Sequence, residues 1–259
     1  ISRGLSRLDN RLPYIACQGN HDLGYIAAEY RYSMMPNYIY PERNSAFGKT
    51  LVSTGTNYEG IHTMENSAYE FHDEAWGDLL IISFEFAPRD EALDWARQLI
   101  ESERFVNHKV IILTHSFLAT NGDRIVEEGY KLTPRNWAQA VWEKLIYPSK
   151  NIKMVLCGHT GNPPKIRKGE DVDFHMTTSY RVDKAADGHE VIQMMFNSQN
   201  GDGSWNGNGG DCWLRILEFK PDGKTIGVRT FSPLFALSRH TQHLAWRTAE
   251  YDQFLITIK

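Results

Sequence analysis

Val110-Ile-Ile-Leu-Thr114-His115 and Lys153-Met-Val-Leu-Cys157-Gly158-His159 share one pattern: an apolar run that ends at a small residue and then a histidine. A third run, Leu12–Gln18, ends at Gly19-Asn20-His21-Asp22. Short runs rich in Val, Ile and Leu, with little polar alternation, suit strands buried on both faces, as in parallel sheets. Right-handed crossovers bring the carboxyl ends of such strands to one edge, where open α/β sheets bind ligands. The three ends are therefore expected to converge on one site. An amide oxygen and two imidazole nitrogens suit a borderline transition metal better than calcium or magnesium alone.

The elements between the runs support an α/β reading. Asp90 can cap a helix reaching about Glu103, with Leu93, Ala96, Leu99 and Ile100 at helical spacing. Thr133-Pro134 predicts a cap and first helical residue for a helix to about Tyr147, with Trp137, Val141, Trp142 and Leu145 facing a core. Leu23–Met35 is expected to start helical, and Pro36–Gly60 to be a long surface excursion. Ser67–His72 and Leu79–Phe84 read as paired strands joined through Trp76-Gly77-Asp78. After Gly161, four runs read as strands: Val191–Phe196, Cys212–Phe219, Thr225–Phe231 and Phe254–Ile258. Pro221-Asp222-Gly223 marks a hairpin turn between the second and third. Asn200–Asp211, centred on Trp205, reads as a flexible loop or as a mobile wall of the site.

Composition narrows the class. The 259 residues suffice for one large core. The net charge of −4 gives no sign of a nucleic-acid partner. No apolar run approaches the roughly 20 residues of a membrane helix. Cys17, Cys157 and Cys212 form no metal-knuckle spacing, and an odd count argues against a complete disulfide framework. The first two read as small buried residues. Ile1 is not an initiator methionine, and Ser2–Leu8 lacks the apolar core of a signal peptide, so a longer natural N-terminus is expected, with any targeting signal upstream. The compartment stays open between an unknown soluble location and a secreted or periplasmic one in a bacterium.

Gly19-Asn20-His21-Asp22, then His115, then Gly158-His159 resembles the later motif blocks of the calcineurin-like metallophosphoesterases. The resemblance covers Ile15–Thr160 by motif, and the family's first two blocks, Asp-x-His and Gly-Asp-x-x-Asp, are missing. It implies an αββα sandwich of two mixed sheets flanked by helices, lacking its N-terminal strands. One domain, 1–259, is expected, with the metal motifs in 1–160 and a mainly antiparallel second-sheet portion in 161–259. It also implies hydrolysis of a phosphate monoester or diester by metal-activated water. The full-length protein would hold two divalent ions, Mn, Fe or Zn. Asn20, His115 and His159 would bind the second of these. His21 would serve the phosphate or leaving group, with Asp22 holding its imidazole. Gly161 stands where the family's last histidine is expected, an ending that resembles secreted-type bacterial relatives. His175, His189 and Gln193 are candidate replacements. The alternative is a binding or scaffold protein that keeps the fold with a degraded metal site. By itself the chain is expected to be an incomplete enzyme. Its partner would be a phosphate-ester substrate, with no nucleic acid and no membrane segment. Substrate identity and oligomeric state stay open.

Overall fold

Seven strands form the main sheet, in the order β1-β2-β3-β4-β5-β7-β6. They are β1 (Leu51–Thr56), β2 (His62–Asp73), β3 (Gly77–Ser83), β4 (Lys109–Leu113), β5 (Ile152–Cys157), β6 (Thr178–Lys184) and β7 (Glu190–Phe196). β3, β4, β5 and β7 run parallel; on one side β2 pairs antiparallel with β3 and β1 antiparallel with β2, and on the other β6 pairs antiparallel with β7. A smaller antiparallel sheet is built on β9 (Thr225–Phe231), which pairs with β8 (Leu214–Phe219), β10 (Trp246–Arg247) and β11 (Phe254–Thr257). This computed structural model describes residues 2–161, 178–197 and 211–258. Trp205, His175 and most of Asn200–Asp211 lie outside them.

The alternation of side chains along a strand divides the core in two. Val110 and Ile112 face a layer formed by the helices Asp90–Glu101 and Ala138–Val141, the latter continued by a π-helical turn over Trp142–Ile146. Leu93, Ala96, Ile100 and Leu145 fill that layer. Ile111, Met154, Ile192 and Met194 point the other way, onto Ile226, Val228 and Ile256 of the small sheet. The molecule is thus a mixed α/β protein with a large mixed sheet flanked by helices. The small sheet is antiparallel rather than mixed, with a tight turn joining β8 to β9 and longer connections leading to β10 and β11. Asp222 accepts from Thr225 N and Oγ1, while Gly223, at φ +70°, lies so close to the Ala75 carbonyl that a Cβ would collide with it. Among the described residues, the helices longer than four residues cover only the main sheet.

Several sequence expectations change. Leu12–Gln18 forms no strand; side chains fix it instead, with Asn44 Nδ2 donating to Leu12 O and Ser83 Oγ to Ala16 O. Leu23–Met35 is not helical. Gly24 and Ala28 have positive φ, a Leu23–Ser33 bridge closes the segment, and buried Arg31 is held by the Phe86 and Ala87 carbonyls. Thr133-Pro134 starts no helix; Arg31 Nε donates to Pro134 O and Asn136 N to Pro88 O, so tertiary bonds keep the chain out of a helix until Ala138. Asp90 lies in the first helical turn, with Arg89 at the cap position, and its carboxylate accepts from Asn136 and Lys144. The Pro36–Gly60 excursion contains β1, and β6 carried no sequence expectation. The portion after Gly161 supplies β6 and β7 to the main sheet as well as the whole small sheet.

Candidate active site

β4 and β5 are parallel neighbours in register, Leu113 beside Leu156, so the residues just past their ends leave the sheet together. Gly158 N donates to His115 O at 2.9 Å, extending the pairing past the strands. His159 then takes φ +67°, the left-handed region that is unfavourable for a side chain with a Cβ. Thr160 N closes the turn on Gly158 O, and Asn197 Nδ2 holds His159 O at 3.0 Å. The bend turns the imidazole toward His115, with ring centroids 4.7 Å apart. A Cβ on Gly161 would come within 3.0 Å of Asn197 Nδ2, so glycine there leaves room for the side chain that holds this bend.

Asn20 arrives from the other side. Gly19 N donates to Asp22 Oδ2 and Asp22 N to Gly19 O, folding Asn20–Asp22 into a single 3-10 turn. A Cβ on Gly19 would lie 2.9 Å from His115 Cε1, so only glycine lets the backbone approach this closely. Asn20, 4% exposed, places Oδ1 2.9 Å from His115 Nε2. Its Nδ2 donates to Tyr130 Oη at 3.0 Å, and that oxygen lies 3.5 Å from His159 Nε2. The structure therefore brings Asn20, His115 and His159 together. Burial, helped by nearby His159 and His21, depresses the His115 pKa to about 3, so the ring is neutral at ordinary pH.

His21 and Asp22 are exposed and do not pair in the way expected. His21 Nδ1 donates to the Ile26 carbonyl at 2.8 Å, while Asp22 is used by the Gly19 turn. With Nδ1–H engaged, Nε2 can donate a proton only from the imidazolium form. A cleft of about 870 Å³ opens beside these residues, walled by Tyr25, Tyr30, Tyr32, Met34 and Tyr38.

Three residues that carried no sequence expectation complete the centre. Phe86, fully buried, is the aromatic floor, with edge-on contacts to His115, His159, Tyr130 and Trp137. Tyr130 links Asn20 to His159. Glu128 places Oε1 3.0 Å from His159 Nε2, while its Oε2 accepts from Ser116 Oγ at 2.9 Å. None sits in a periodic pattern; Glu128 and Tyr130 lie in the irregular segment between β4 and the next helix. A hydroxyl neighbour to His115 was the only available sequence signal. Behind the site, Gln18 donates to Glu65 and accepts from Phe86 N, which locks the approach to Gly19 onto β2.

The other candidates lie elsewhere. His189 precedes β7 and is tied to Asp187 and the Ile152 carbonyl, at the opposite end of the strands. Gln193 is engaged by Arg124 and Asp183. Neither replaces the histidine missing at Gly161. Burial raises the thiols of Cys17 and Cys157 to about 12, which fits inert packing residues.

The donor types fit a divalent transition metal: an amide oxygen, two imidazoles and an adjacent carboxylate. Donors at right angles, each about 2.1 Å from an ion, lie roughly 3.0 Å apart. The Asn20–His115 and His159–Glu128 separations, 2.9 and 3.0 Å, have that spacing. The set is not a closed cage, however. Among the described residues no three His, Cys, Asp or Glu side chains form a ready metal group, and here the Tyr130 hydroxyl stands between Asn20 and His159.

The profile of the calcineurin-like phosphoesterase family matches residues 1–163, and the chain belongs to that family. It is 24% identical over 232 residues to the uncharacterized protein YvnB of Bacillus subtilis (strain 168), covering 89% of this chain but 15% of YvnB. A Staphylococcus aureus protein provisionally named a 5'-nucleotidase, solved in complex with alpha-ketoglutarate, aligns over 99% of this chain and 40% of its own. There the identity is 13% and the TM-score 0.40. The chain thus spans well under half the length of both. No helix among the described residues is long and apolar enough to cross a membrane.

Proposed function

We propose that this chain carries the catalytic centre of a metal-dependent phosphoesterase, hydrolysing a phosphate ester with water. The single observation behind this reading is the meeting of Asn20, His115 and His159 at the carboxyl ends of the strands in a chain of this family. These three residues would hold a divalent ion, Mn, Fe or Zn. When bound, such an ion lowers the pKa of water and offsets charge on the phosphoryl oxygens. The neutral state of His115 leaves it available as a donor.

The protein's own groups do the rest. Gly19 lets Asn20 and His115 approach, and the bend at His159 aims the second imidazole at the same point. His21, exposed at the rim with Nδ1 anchored, offers Nε2–H to a phosphate oxygen or to the leaving oxygen when protonated. The tyrosine-walled cleft beside it would receive the organic part of the ester. Replacement of His21 by Ala tests the reading. In the full-length protein it should lower kcat by about 10²-fold or more on p-nitrophenyl phosphate or its bis-ester while metal content stays unchanged. Unchanged kcat, or loss of metal, would show that His21 has another role. A full-length protein that binds metal but turns over neither ester would point to the scaffold alternative.

A further inference from the structure

Gln18 ties the active centre to a second cavity. Its Oε1 accepts from the backbone N of Phe86, whose ring lies under both imidazoles, and its Nε2 donates to Glu65 at 2.7 Å. Glu65 in turn lines a pocket of about 320 Å³ together with Tyr30, Tyr32, Tyr58, Glu59 and Arg31. Tyr30 and Tyr32 also wall the cleft beside His21, so the two spaces share a partition. We infer that this pocket binds an organic ammonium cation, the charged end of the ester's organic part. The pocket stands by itself; its place in the substrate rests on the phosphoesterase reading above.

Aromatic rings attract cations through their electron-rich faces, and groups of them hold quaternary ammonium ligands. Tyr30, Tyr32 and Tyr58 are all exposed, an unusual outlay of aromatic surface around one small pocket. Two carboxylates supply the opposite charge: Glu59 is exposed, and Glu65 is only 3% exposed. Burying a carboxylate is costly unless a cation or strong donors accompany it. Glu65 accepts from Gln18 and from Thr63 Oγ1, both neutral, and among the described residues no cationic side chain forms an ion pair with it. Burial, with the nearby charge of Glu85, raises its pKa despite those hydrogen bonds. Arg31 does not serve it closely, since its guanidinium donates to the Phe86, Ala87 and Pro134 carbonyls and lies 3.8 Å from Glu85. An ammonium group would meet two carboxylates and three rings, whereas an anion would meet repulsion from both carboxylates. The walls are fixed in advance. Asn57 Oδ1 accepts from Glu59 N and Ile61 N, folding the turn that carries Tyr58. The Arg31 bonds and the Leu23–Ser33 bridge hold the segment that carries Tyr30 and Tyr32. Little ordering is left to oppose binding. The volume lies at the lower end of small-molecule pockets, about 300–1,000 Å³, which suits a compact group.

The probe is choline, titrated calorimetrically into the full-length protein beside its uncharged carbon isostere, neohexanol. Choline should bind at least about 10-fold more tightly than the alcohol. Tyr58→Ala, at an exposed position, should weaken choline by about 5-fold. Glu65→Gln should weaken it further, with folding of both variants checked by circular dichroism. Choline bound no better than neohexanol overturns the inference. So does choline bound equally by wild type and Tyr58→Ala, since the cation would then sit elsewhere. Turnover tests the place in the substrate. KM for p-nitrophenyl phosphorylcholine should lie about 10-fold below that for p-nitrophenyl neohexyl phosphate, and Tyr58→Ala should narrow that gap with kcat little changed. Equal KM values overturn the assignment to the ester. Choline binding with turnover of neither ester overturns the phosphoesterase reading and leaves the pocket standing. Turnover without choline binding does the reverse.

Discussion

Two glutamate–histidine pairs sit at opposite ends of the main sheet. At one end, His108 Nε2 lies 2.9 Å from Glu70; at the other, His159 Nε2 lies 3.0 Å from Glu128. The chemistry of the two contacts is alike, and their surroundings are not. Arg104 also binds Glu70, so that carboxylate is already neutralised. Burial pushes the Glu70 carboxyl up, but the hydrogen bonds from His108 and Arg104 outweigh it and hold the pKa below the ordinary value. Glu128 pairs with His159 and accepts from Ser116 Oγ, and among the described residues no arginine forms an ion pair with it. A pair with its own cation is finished as structure. The other pair has a hydroxyl instead and lies where parallel strands end, beside His115.

The widest separation between the two ends should come from the histidines. His159→Ala is expected to lower phosphoesterase kcat/KM by more than about 100-fold, since even outer partners of metal ligands cost 10–100-fold. His108→Ala should leave turnover unchanged and lower stability by about 1–2 kcal/mol, read from urea melts. Equal activity losses would erase the distinction.

Gly19→Ala probes the closeness of the functional end. Its Cβ would press on His115 Cε1, so the ring must shift. An activity loss of about 10-fold is expected with Tm nearly unchanged, because the new methyl lies beside a side chain rather than in the sheet. Phe86→Leu removes the floor under both imidazoles and should cost about 1–3 kcal/mol along with activity. If the melting temperature falls while turnover holds, the floor is only packing.

The smallest expected effect is a pH dependence at the structural end. Because the folded pKa of Glu70 is depressed, its contribution to stability is fully present above the unfolded value of about 4.3 and is lost as pH falls through the folded value. Glu70→Gln should flatten the acid limb of stability against pH, modestly, since the group is partly exposed. An unaltered acid limb would mean that Arg104 and His108 do not favour its charged form.

The hydrophobic runs were legible in the chain because buried parallel strands must be apolar wherever they occur. β4, β5, β7 and β9, the helix from Asp90 and the turn at Gly223 follow from local pattern, and so does the meeting of His115 and His159, since parallel strands deliver their ends to one edge, whereas Asn20 joins them from a segment that forms no strand and is set by the Gly19–Asp22 turn. Local pattern misled wherever long-range hydrogen bonds outweighed it. Arg31 and Asn136 keep 133–137 out of a helix despite an N-terminal helix signal, and Asp22 closes its own turn instead of holding His21. Glu128, Tyr130 and Phe86 gave no periodic signal, because a residue in an irregular segment is aimed by its tertiary partners. The sequence by itself determined which strand ends meet, through the period of its apolar residues. Only the tertiary structure decided which carboxylate stands beside His159, because that depends on where distant side chains come to rest.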